Sequence, residues 1–142
     1  MNHELFEELY YLAVETLHKQ LEWSYTIPWS KGFVLWPEEP PIPGSHAFLH
    51  AEYKKSNQLL FTYAIDPRYY EELLSHYSDQ ERKYSVLLTE IVETALHETG
   101  HHRKILQSMD EGINAEIAIN GTCNLHGPHG ELWLTEMRKL GY

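Results

Sequence analysis

Cysteine is nearly absent from this chain. Cys123 is the single one in 142 residues, so no internal disulfide can form and a cysteine-built zinc ribbon is excluded. Long apolar runs are missing too. No stretch approaches the ~20 residues that cross a bilayer, and no membrane role is expected. The opening M-N-H-E-L-F-E-E-L is acidic and amphipathic, unlike a secretory signal. With one idle thiol, that leads us to expect a cytoplasmic protein. Positive charge is scarce: 11 Lys and Arg stand against 21 Asp and Glu, for a net charge of −10. Such a balance repels a polyanion at long range. The basic residues come in pairs, Lys54-Lys55, Arg82-Lys83, Arg103-Lys104 and Arg138-Lys139, each expected on a solvated surface. There are no internal repeats, and the length predicts one domain over residues 1–142, large enough to bury a core.

Histidine, by contrast, is plentiful, and one stretch organises it. His97-Glu98-Thr99-Gly100-His101 reads H-E-x-x-H. It ends a periodic run in which Tyr84, Leu87, Leu88, Ile91, Val92, Ala95 and Leu96 recur at three- and four-residue spacing, the pattern of a core-facing helix. Asp79 is the expected N-cap, with His102, Arg103 and Lys104 placed late, as the helix dipole prefers. On a helix, positions i and i+4 share a face, so His97 and His101 project side by side and can bind one zinc ion (Zn2+). Glu98 stands at the edge of that site, where it can take a proton from an attacking water. Gly100 costs helix propensity and either relieves crowding beside the metal or is simply tolerated.

A catalytic zinc needs a third protein ligand. The H-E-x-x-H-x-x-G-x-x-H pattern fails, because Lys104 and Gln107 occupy the glycine and histidine positions. Glu111 and Glu116 are further candidates, although they follow His101 closely. The segment Leu125-His126-Gly127-Pro128-His129-Gly130-Glu131-Leu132-Trp133 is the best source, since a Gly- and Pro-rich loop can deliver a histidine at the start of a new helix.

H-E-x-x-H, then His129-Gly130-x-x-Trp133, then Met137-Arg138-Lys139-Leu140-Gly141 resembles the SprT-like (Spartan-related) metallopeptidase family. The specific motifs cover roughly the last sixty residues. The resemblance implies an α+β, zincin-like domain: an N-terminal helix, a small mostly antiparallel sheet, an H-E-x-x-H active-site helix and a C-terminal helix. It implies zinc held by His97, His101 and His129, with Glu98 as general base. His126-Gly127-Pro128 offers an alternative register, and Trp133, four residues beyond His129, favours His129. The implied activity is cleavage of protein substrates. Two other readings compete: a zinc-binding module without activity, and a zinc hydrolase of a non-peptide substrate. Relatives of this kind act on DNA-bound proteins, so DNA association is possible by resemblance, but the acidic charge does not support it.

Elsewhere the pattern is coarser. Residues 4–23 carry Leu5, Leu9, Leu12, Leu17 and Leu21 on one face of an amphipathic helix. An aromatic stretch follows with Trp23, Tyr25, Trp29, Phe33 and Trp36. Residues 32–36 read as a strand, ended by a proline-rich loop over residues 37–44. Residues 47–53 and 58–65 read as a hairpin turning at Lys54-Lys55-Ser56-Asn57, and the resemblance implies substrate pairing along it. His46 and His50 are surface residues or, less simply, an additional metal site. Asp66-Pro67 opens a short helix to Tyr77. Residues 107–125 fit either helix or strand.

Overall fold

Two aspartates start two helices, as their sequence context predicts. Asp66 accepts a hydrogen bond from the backbone of Arg68 ahead of Pro67, and Asp79 accepts one from Glu81. Each satisfies a donor that has no partner within its helix. The computed structural model describes residues 3–21, 23–41, 43–54 and 58–121. In chain order these form α1 (His3–Gln20), β1 (Trp29–Phe33), β2 (Ala47–Tyr53), β3 (Leu59–Ile65), α2 (Pro67–Ser75), α3 (Gln80–Asp110) and a π-helical turn, Ile117–Gly121. The class is α+β, as expected. Among the described residues, no helix is long and apolar enough to cross a membrane.

The sheet departs from expectation. Its order is β1-β3-β2, with β3 antiparallel to β2 but parallel to β1. It is therefore mixed rather than mostly antiparallel. The chain leaves β1 and crosses to the far edge to make β2. It then returns through the centre as β3, with Leu59 opposite Trp29 and Ile65 opposite Ala47. β1 also begins at Trp29 instead of residue 32. Its last ladder contact is the Val34 amide on the Tyr63 carbonyl at 3.0 Å. β3, flanked on both sides, buries Leu59, Phe61, Tyr63, Ala64 and Ile65. The turn proposed at residues 54–57 lies, beyond Lys54, outside the described residues.

α1 packs by a different row from the one its leucines suggest. Phe6, Tyr10 and Val14 are buried, at i, i+4 and i+8, while Leu12 is 62% exposed. The row that carries two aromatic rings offers more area to remove from water. Phe6 meets Tyr70 at 6.2 Å between ring centroids, and Tyr10 meets Tyr63 at 6.4 Å.

α3 spans 31 residues, about 46 Å at the usual rise, and its environment changes along its length. In the first half only the row Leu87, Ile91 and Ala95 is buried, while Tyr84, Leu88 and Val92 stand outside it and are largely exposed. From Thr94 to Met109 the helix is enclosed on most sides. This corrects two expectations. Arg103 and Lys104 are not a solvated pair: Lys104 is 1% exposed and Arg103 is 8% exposed, its guanidinium 5.0 Å from the Trp23 ring. Nor are His102, Arg103 and Lys104 near the helix end, which lies at Asp110. There Gly112, at φ +95°, turns the chain back, a conformation that glycine adopts without strain. Asp110 also ties down the backbone amide and the hydroxyl of Thr26. The ambiguous stretch after Gln107 thus divides into the end of α3, a turn, and the π-helical segment, whose Ala118 is fully buried.

Candidate metal centre

The register of α3 sorts its three adjacent histidines. With Leu87, Ile91 and Ala95 turned to the core, His97 and His101 emerge together at the boundary of the helix, both half-buried. Their Nε2 atoms lie 3.2 Å apart and their rings stand at 71°. Two ligands bound tetrahedrally at 2.0–2.1 Å from one zinc would be separated by about 3.3 Å. The pair fits that requirement. Gly100, between them, is buried.

Glu98 is the unusual group. It is 7% exposed, and no hydrogen-bond or ion-pair partner accompanies its carboxyl among the described residues. Burial pushes its pKa up from 4.5 to about 8, because removing water disfavours the charged form. Its charge in turn raises the pKa of Tyr10, Tyr63 and Tyr70, after the larger effect of their own burial. The Tyr10 hydroxyl is buried without a hydrogen-bond partner among the described residues.

His97 and Glu98 line a cleft of about 360 Å³. Glu90, Glu93 and Thr94 continue that wall along α3, and residues 45–47, entering β2, form the opposite one. His46 is held there by stacking on Tyr69 at 3.8 Å and 12°. Burial lowers its pKa, with Asp66 opposing, so its ring is neutral near pH 7. A second groove, of about 730 Å³, borders Leu49 to Tyr53 of β2 and faces Asn114, Ala115, Glu116 and Ile119. Five consecutive strand residues line it. The two depressions therefore follow the outer strand of the sheet one after the other.

His102 does the opposite of its neighbours. Its ring stacks on Phe61 at 3.5 Å, and its Nδ1 is hydrogen-bonded to the Tyr63 hydroxyl at 2.6 Å. Trp23, Trp29 and His18 surround it at centroid distances of 4.9, 4.7 and 5.0 Å. Burial first, then His18, Lys31 and Arg103, hold its pKa well below 6.5. His18 is likewise brought down to about 3, mainly by burial. Both rings are structural, and His102 is absent from the metal centre, as its 100° rotation from His101 implies.

The other candidates separate clearly. Glu111 accepts a hydrogen bond from Gln107 at 2.9 Å on the surface, and Glu116 is exposed beside the second groove. Among the described residues no three His, Cys, Asp or Glu side chains converge in a way that could hold a metal ion, neither around the histidine pair with Glu111 or Glu116 nor around His46 and His50. His126, His129, Trp133 and Cys123 all lie outside the described residues. Glu90 and Glu93 were missed in the sequence although their spacing from His97 puts them on its face. His46 carried no such signal, because its place depends on how the strand crosses α3. No protein-family model, curated protein or solved structure matches this chain.

Proposed function

We propose that this chain is a zinc-dependent peptidase of the SprT-like, zincin-like kind, with His97 and His101 as two metal ligands, a third from His129 or else His126, and Glu98 as general base. The single observation that carries the reading is the juxtaposition at the centre of α3. Two imidazole nitrogens stand at the separation one zinc requires, beside a buried carboxyl that has no partner among the described residues and opens on a cleft.

Zinc, when bound, supplies a Lewis acid that polarises the attacking water and the scissile carbonyl. The chain's own residues do the rest. Glu98 accepts the water proton on its carboxylate and delivers it to the leaving amide nitrogen. Burial alone would keep this group protonated at neutral pH. A cation beside it favours the carboxylate and brings the pKa back toward the working range. The same burial excludes bulk water, so the proton is not lost between the two transfers. β2 borders both depressions and has its outer edge unpaired among the described residues. An extended peptide can add there as a further strand, held by main-chain hydrogen bonds. The net charge of −10 argues against direct DNA binding as the means of locating substrate.

Metal analysis of the purified chain together with Glu98→Gln tests the assignment. We expect one zinc per chain in both proteins and proteolysis only in the parent. Equal proteolysis by Glu98→Gln would remove Glu98 from its role, and an absence of stoichiometric zinc would remove the metallopeptidase reading altogether.

A further inference from the structure

The wall of the cleft on α3 is acidic along two turns. Glu93 and Glu90 precede His97 by four and seven residues, about 6 and 10 Å along the helix axis, and both carboxylates line the cleft with Glu98. Among the described residues, no lysine or arginine lines it. Glu90 and Glu93 form no ion pair or side-chain hydrogen bond through their carboxylates among the described residues, and Glu98, only 7% exposed, presents a third unpartnered carboxyl to the same space. The opposite wall holds a hydroxyl at Ser45 and a ring at His46, not a compensating charge. Glu90 and Glu93 repel each other on this partly desolvated surface, and burial together with Glu93 raises the pKa of Glu90. A positive group placed among them relieves that repulsion.

Building on the peptidase reading, we propose that this part of the cleft is a subsite for a cationic side chain, lysine or arginine, of the substrate peptide. A strand-like peptide advances about 3.3 Å per residue. One running along the α3 face from the histidine pair therefore reaches Glu93 and Glu90 two to three residues from the scissile bond. The subsite selects peptides with a basic residue at that distance, and the chain's negative charge steers such peptides toward it.

The test uses the zinc-loaded full chain and two fluorescent peptides that differ only by lysine or norleucine at one position. Anisotropy measures binding and product analysis measures cleavage. We expect the lysine peptide to bind about tenfold more tightly at low salt, with the ratio shrinking at high salt. The double variant Glu90→Gln/Glu93→Gln should bring the ratio close to one. Glu8→Gln/Glu81→Gln, which makes the same charge change at exposed positions away from the cleft, should keep it. Equal binding of the two peptides by the parent, or an unchanged ratio in Glu90→Gln/Glu93→Gln, overturns the subsite. Cleavage of both peptides without discrimination overturns it while leaving the peptidase reading intact. A lysine preference in binding that Glu90→Gln/Glu93→Gln abolishes, with no cleavage of either peptide, upholds the subsite and removes the peptidase reading.

Discussion

Two pairs of histidines meet α3, and their surroundings give them opposite characters. His97 and His101 stand at the helix boundary, half-buried, with nitrogens 3.2 Å apart beside a cleft. His102, one residue further round α3, and His18 of α1 are enclosed by Trp23, Trp29, Phe61 and Tyr63. The same side chain is a prospective ligand on one side and a packing element on the other. Rotation by one residue, about 100°, separates them. The core row Leu87, Ile91 and Ala95 sets that rotation, so hydrophobic burial in the first half of the helix decides which imidazoles are available in the second.

The contrast is sharpest under substitution. His97→Ala or His101→Ala should weaken zinc binding by more than about 100-fold and abolish hydrolysis. The melting temperature of the metal-free chain should shift little. Metal titration and calorimetry distinguish these effects. His102→Ala should behave in the reverse manner, costing about 3 kcal/mol of folding stability by emptying a packed aromatic site and leaving the Tyr63 hydroxyl only its longer hydrogen bond to His18. Urea unfolding would show it, and an unchanged midpoint would contradict the enclosed position of this ring.

pH separates the regions again. Glu98 titrates near 4.5 when free and about 8 in the fold, so the metal-free folded chain holds an extra proton between these values and loses stability as pH rises through that window. His18 falls from 6.5 to about 3 and His102 is lowered also. The unfolded chain binds the extra protons there, so stability is lost as pH drops below 6.5. The metal-free chain should therefore be most stable near pH 6.5 and lose about 1 kcal/mol by pH 8. Glu98→Gln should flatten the alkaline limb and leave the acid limb in place, which unfolding curves across pH would reveal.

Smaller effects follow. Tyr63→Phe removes one buried hydrogen bond to His102 and should cost about 1–2 kcal/mol in urea unfolding. Leu12→Gln, on the exposed side of α1, should change stability by less than about 0.5 kcal/mol. A larger loss would mean that the leucine row, and not Phe6-Tyr10-Val14, faces the core.

Much of this arrangement is legible in the sequence where local chemistry dominates. Asp66-Pro67 and Asp79 fix helix starts through their own hydrogen bonds, and the spacing of Leu87, Ile91 and Ala95 announces the buried row. The side-by-side projection of His97 and His101 follows from that row. What depends on distant partners is not legible. The parallel pairing of β1 requires knowing that β3 inserts beside it, and the face that α1 buries depends on Tyr63 and Tyr70 arriving from elsewhere. Arg103 and Lys104 look solvated by charge alone, and only the tertiary neighbours, such as Trp23 over Arg103, account for their enclosure. Of the candidate site, the pair and its carboxyl could be read in advance. The cleft could not, because its second wall comes from residues 45–47, some fifty positions earlier.

The strand order β1-β3-β2 has a bearing on assembly. A nascent chain emerging from the ribosome completes β1 first, yet that segment has no neighbour to zip onto until thirty further residues have followed. β2 and β3, joined locally, can nucleate early, whereas β1 must wait for a long-range closure, the slow kind of step in folding. Trp29, carried on β1 against His102, would then be a natural fluorescent reporter of the last event in core formation.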